Sequence, residues 1–140
     1  MQIIMKKIIP VLFTFGTFMV SSGLHAQTTA SLEAKAQQYA NEVFQDCPQY
    51  AQAEYLNEYV TMIGRVEITT LAEYGSSNYQ PLSAIPLKNK CNAGLTYDSA
   101  ENFNPENFNP LKYFFNFHAP TDQAYLVDNT QYIILIHHAQ

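Results

Sequence analysis

The first 26 residues set the tightest limit on what this chain can fold into. Lys6 and Lys7 give a short positive start, residues 8–20 are apolar or neutral, and Ser21, Ser22, Gly23 and Ala26 form a small-residue region. That order is the pattern of a secretory signal peptide, cut after Ala26. The apolar run is interrupted by Pro10 and Gly16 and is too short to cross a hydrocarbon core of roughly 30 Å. Residues 1–26 are therefore expected to be a leader, and residues 27–140 a single domain with no stable membrane insertion. A chain of that size makes one sheet-and-helix core and no second.

The expected location is periplasmic or secreted, and such compartments are oxidising. Cys47 and Cys91 are the two cysteines, 44 positions apart, and an even count there predicts one disulfide. Neither sits in a recognisable nucleophile motif, which argues against thiol catalysis. Lys and Arg number 7 against 12 Asp and Glu. Without Lys6 and Lys7, the basic residues are Lys35, Arg65, Lys88, Lys90 and Lys112, scattered along the sequence. Nucleic-acid binding needs clustered cations that release counterions, so it is disfavoured, as is attachment to anionic lipid.

Apolar residues Leu32, Ala36, Tyr39, Ala40, Val43 and Phe44 recur at helical spacing and predict a helix over 29–46, stopped by Pro48. Residues 54–63 fit a second, shorter helix ending before Gly64, or else the start of a strand running through Glu73. Residues 65–74 alternate, with Val66, Ile68, Thr70, Ala72 and Tyr74 on one side, and read as a strand. The segment 75–110 is rich in Asn, Pro, Ser and Gly, with short strands expected near 82–87 and 95–97. Three further strands are expected at 112–118, 124–127 and 131–138, the last pair joined by an Asp128-Asn129-Thr130 turn. Ile133 to Ile136 is apolar at every position, which places that strand centrally. The expected fold is α+β: an N-terminal helix packed on an antiparallel sheet of about four strands, with a long Asn/Pro-rich excursion.

Within the excursion, residues 101–105 (Glu-Asn-Phe-Asn-Pro) are repeated at once as 106–110. Asn before Pro favours a turn, so each copy is expected to present one Phe. The two rings either plug into the sheet as anchors or, with their flanking amides, contact a ligand. On the second reading the binding residues are Tyr97, Phe103, Asn104, Phe108 and Asn109, with Tyr79 nearby. Glu101 and Glu106 are the only anions there, too few for a calcium loop. His118, His137 and His138 could place at most two imidazoles on one strand face, short of a zinc site.

No Gly-x-Ser-x-Gly, His-Glu-x-x-His or phosphate-cradling glycine run occurs. The sequence therefore assigns no catalytic residue, no metal and no cofactor. It points to a small exported non-enzymatic binding or accessory protein of the cell envelope, acting on an unidentified protein or small ligand. A small secreted hydrolase using His118 with Asp122 or Glu101 is the alternative, and would need those side chains within hydrogen-bond reach. An inhibitor or immunity-type partner is a third reading, compatible with small size and negative charge.

Overall fold

In the computed structural model the backbone is described from residue 24, and side chains from residue 31, to Gln140. The expected leader, apart from the backbone of its last three residues, lies outside the described residues. Helix α1 spans Leu24–Val43 and buries Ala36, Tyr39, Ala40 and Val43 at the predicted spacing. A 3-10 turn over Pro48–Ala51 reverses the chain into α2, Ala53–Gly64. This settles residues 54–63 as helix, and Gly64 lies in the last turn rather than beyond it. Arg65 is the C-cap, its N–H donating to the carbonyls of Ile63 and Met62. The two helices share a core with Leu95 and Leu111. The Cys47–Cys91 disulfide ties the end of α1 to the excursion, with a Cα–Cα distance of 5.4 Å.

Strand β1, Val66–Thr70, is shorter than its alternation predicts. Residues Leu71–Tyr74 form a one-turn helix, α3, instead of continuing it. Thr70 caps this turn by accepting from the Glu73 N–H, and Gly75 closes it at φ 65°, a left-handed conformation suited to glycine. Local capping outweighs period-two patterning here.

The sheet is completed by β2 (Gln80–Pro81), β3 (Gln123–Leu126) and β4 (Tyr132–Ile136), in the order β1-β4-β3-β2. β4 is central, and Ile133, Ile134 and Ile136 are all buried. It pairs antiparallel with both β1 and β3, the β3–β4 connection holding Asn129 at φ 59°. β2, however, runs parallel to β3, so the sheet is mixed rather than purely antiparallel. The cause is the route. The chain leaves β1 at one border, crosses through α3 and residues 75–79, and enters β2 at the opposite border in the same direction.

One face of the sheet buries Tyr125, Val127, Ile134 and Ile136 against Phe108, Tyr113, Phe115 and Phe117. Residues 113–118 keep the predicted alternation, with Phe114, Asn116 and His118 outward. They nevertheless form no strand of the sheet, making a single bridge between Leu87 and Tyr113. The segment opens with a 3-10 turn at Pro110–Lys112, and Leu82–Ala84 is likewise 3-10 where a strand was expected. No strand forms over 95–97 either, although Leu95 is buried.

Polar side chains organise the excursion in place of a ladder. The Tyr113 hydroxyl donates to Asp98 Oδ2 at 2.6 Å, and Lys112 Nζ donates to the same oxygen at 3.0 Å. Burial and that carboxylate push the Tyr113 hydroxyl far above its ordinary pKa, so it acts as a fixed donor.

Candidate functional site

Beside the disulfide, three segments distant in sequence meet and leave apolar rings facing solvent. The end of α1 contributes Phe44, and the 3-10 turn contributes Tyr50, whose ring centroid lies 5.7 Å from that of Phe44. Cys91 is fixed to this corner by the disulfide and by the Asp46 N–H, which donates to the Cys91 carbonyl at 2.8 Å. Lys88 and Lys90 precede it. Backbone bonds from Lys88 N to Lys112 O (2.7 Å) and from Phe114 N to Pro86 O (3.0 Å) bring in the third segment, which supplies Phe114. The result is a cleft of about 290 Å³ lined by Phe44, Tyr50, Lys88, Lys90, Cys91 and Phe114.

Phe114 is 58% exposed and Tyr50 44%, the two most exposed large apolar side chains among the described residues. Water is released when such rings are covered, and a patch of this kind marks a contact site more often than an isolated ring does. Lys88 Nζ lies 5.5 Å from the Phe114 ring centroid, within cation–π range. Partial burial lowers the Lys88 pKa, an effect that the charge of Glu58 opposes. Neither Lys88 nor Lys90 forms an ion pair among the described residues. Two of the basic residues thus share this cleft, while Lys35, Arg65 and Lys112 contact Glu106, His137 and Asp98 elsewhere.

A second group gathers where β4 runs out. Glu67 Oε2 contacts His137 Nε2 at 2.7 Å, His137 Nδ1 contacts Asp122 Oδ2 at 3.1 Å, and His138 Nδ1 contacts Asp122 Oδ1. The His138 N–H also donates to Asp122 Oδ1 at 2.9 Å. Because β4 ends at Ile136, residues 137 and 138 escape strand alternation, and both imidazoles reach one carboxylate. The limit of two imidazoles per face assumed that adjacent residues 137 and 138 alternate as in a strand, and the end of β4 removes that assumption. The side chains form a chain of contacts, and no metal-holding group of three is present among the described residues.

This clasp has a definite pH response. The His138 backbone N–H, then the side chains of His138 and His137, hold the Asp122 carboxyl well below its usual range. Glu67, then Asp122, hold His137 above its ordinary 6.5. A raised imidazole contributes its stability fully below about 6.5 and loses it as pH rises through the folded value. A lowered carboxyl contributes fully above its ordinary 3.8 and loses it as pH falls toward the folded value. The clasp is strongest between those limits. We expect the melting temperature to fall modestly from mildly acidic to mildly alkaline pH, and H137A to flatten that fall. A difference between the two proteins that stays constant across the range would contradict this assignment.

The residues singled out in the sequence are dispersed. Phe108 and Asn109 are 5% and 3% exposed and lie within the protein's interior. Asn109 Oδ1 accepts from Leu111 N–H, while its amide donates to Tyr39 O and Glu42 Oε2. Phe103 is half-buried against Tyr132 at 5.1 Å, so the two copies of the repeat do not present equivalent rings. Asn104 is exposed and accepts from Glu106 N–H in a local turn. Tyr97 keeps an exposed ring, with its hydroxyl donating to Ile85 O at 2.8 Å. His118 is exposed, and its ring makes no hydrogen bond among the described residues. The contact between His118 and a carboxylate that a hydrolase reading needs is not made, and Asp122 serves the other two histidines instead.

Two signals could have pointed to the cleft from sequence. Phe114 falls on the outward side of the 113–118 alternation, where a large apolar residue is out of place. Two of the few lysines lie just before a disulfide cysteine. Compared with protein families, with curated proteins and with solved structures, the chain shows no match.

Proposed function

We propose that the chain is an exported, non-enzymatic binding protein of the cell envelope or the exterior, and that its ligand is a small amphipathic carboxylate seated beside the disulfide. The observation that carries this reading is the meeting of exposed Phe114 and Tyr50 with Lys88 and Lys90 in one cleft. The rings cover an apolar body, and the ammonium groups meet an anionic head. An apolar pocket with a few convergent polar groups is the form that small-ligand sites usually take. Its volume, about 290 Å³, suits a short chain or a single ring rather than a folded partner. The rest of the protein carries a net negative charge, so an anion is drawn to this corner and repelled elsewhere.

Calorimetric titration with decanoate, and with decanamide as its uncharged counterpart, tests the reading. Decanoate is expected to bind saturably and decanamide about tenfold more weakly, the worth of one charge-assisted hydrogen bond. F114A and the pair K88Q/K90Q should each reduce decanoate affinity by a similar factor. Equal binding of acid and amide, or no loss in either variant, would refute it.

A further inference from the structure

A second concavity, sharing no lining residue with the first, has a different chemistry. It lies between the α3–β2 connection and the first residues of β3, and its volume is about 280 Å³. Tyr74, Asn78, Tyr79, Gln80, Asp122 and Gln123 line it. The connection is pinned in place by the Tyr74 hydroxyl, which donates to the Asn78 carbonyl at 2.9 Å. The opposite wall is held by the Tyr125 hydroxyl, which donates to Gln123 Oε1 and leaves the Gln123 amide hydrogens free to donate.

The lining narrows the ligand class by elimination. No lysine or arginine is present, so an anion finds no counter-charge. Asp122 is the one carboxylate, and both of its oxygens are already engaged by His137 and His138 from outside the cleft. A cation therefore meets no unpaired charge. Ala124 is the only aliphatic side chain in the wall, so an alkyl ligand has little to cover. What remains is a set of neutral donors and acceptors on phenol and amide groups. The side-chain amides of Asn78 and Gln80 and the Tyr79 hydroxyl make no hydrogen bond within the protein among the described residues.

Sugar hydroxyls donate and accept at once, and amides and phenols answer both needs. The tyrosine hydroxyls add further uncharged donors and acceptors to the same wall. We propose that this cleft is a binding site for a neutral saccharide. The proposal rests on other residues than the decanoate site and stands or falls separately from it.

The test is an NMR titration of the oxidised protein, labelled with nitrogen-15, using cellobiose and N,N′-diacetylchitobiose. Saturable shifts are expected at the amides of Tyr74, Asn78, Tyr79, Gln80 and Gln123, for at least one disaccharide. Y79A should weaken that binding by about fivefold to tenfold, in line with loss of one net hydrogen bond. N78A, at an exposed position that does not threaten folding, should weaken it measurably as well, while K88Q should leave it unchanged. Absence of saturable shifts with both disaccharides would overturn the proposal. So would shifts confined to another surface, or wild-type affinity in both Y79A and N78A.

Discussion

Replacing Phe108 with alanine is expected to lower unfolding free energy by about 3–5 kcal/mol, the usual cost of emptying a large aromatic site in a core. At roughly 4 °C of melting temperature per kcal/mol for a domain of this size, the drop is on the order of 12–20 °C. Phe108 is 5% exposed and stacks on the wholly buried Tyr113 at 5.8 Å, so little nearby can collapse into the space. The equivalent change at Phe103 should cost only about 1–2 kcal/mol, because that ring is half-buried and leans on Tyr132, itself 37% exposed. Urea denaturation of the two single variants measures the difference. Equal losses would mean that the two copies of the repeat are structurally equivalent after all.

Removing the disulfide is the other large effect. Closing a chain across a separation of 44 residues restricts the unfolded ensemble by up to about 4 kcal/mol in the chain-entropy model. The pair C47A/C91A should approach that loss. Decanoate binding should fall with it even under conditions where the variant remains folded, since the bridge holds Phe44 and Tyr50 against Lys88 and Lys90. Two hydrogen bonds also span this corner, from Asp46 N–H to Cys91 O at 2.8 Å and from Asn92 Nδ2 to Glu42 O at 2.8 Å. If the variant lost less than about 1 kcal/mol, at the level of a single net hydrogen bond, those contacts alone would account for the corner.

The sequence disclosed what repeats with a period and concealed what depends on single polar side chains. Ala36, Tyr39, Ala40 and Val43 announced α1 because a helix places them on one stripe, and all four are buried. Ile133 to Ile136 announced a central strand by a different signal, an unbroken apolar run. Thr70 and Gly75 carried the cap and the stop of α3, but the alternating pattern around them was the louder signal and pointed to strand. Alternation at Tyr113, Phe115 and Phe117 revealed which rings are inside, yet it cannot reveal whether the backbone has a hydrogen-bonding partner. The excursion depends on Asp98 bonding Lys112 and Tyr113 and on Asn109 bonding Tyr39 and Glu42, and periodicity is blind to such pairs. The cleft was hidden for a further reason. Its lysines precede Cys91 while Phe114 lies well beyond, and only the backbone pairing of 86–88 with 112–114 unites them.

The form of the sheet also bears on self-association. A strand at a border offers unpaired amide groups that can recruit a second molecule and seed fibrils. Here one border is the two-residue β2, and Pro81 has no N–H to offer an incoming strand. The other border, β1, carries the exposed carboxylate of Glu67. Neither margin is a good template for edge-to-edge growth, so the native fold itself guards against pairing with a second copy.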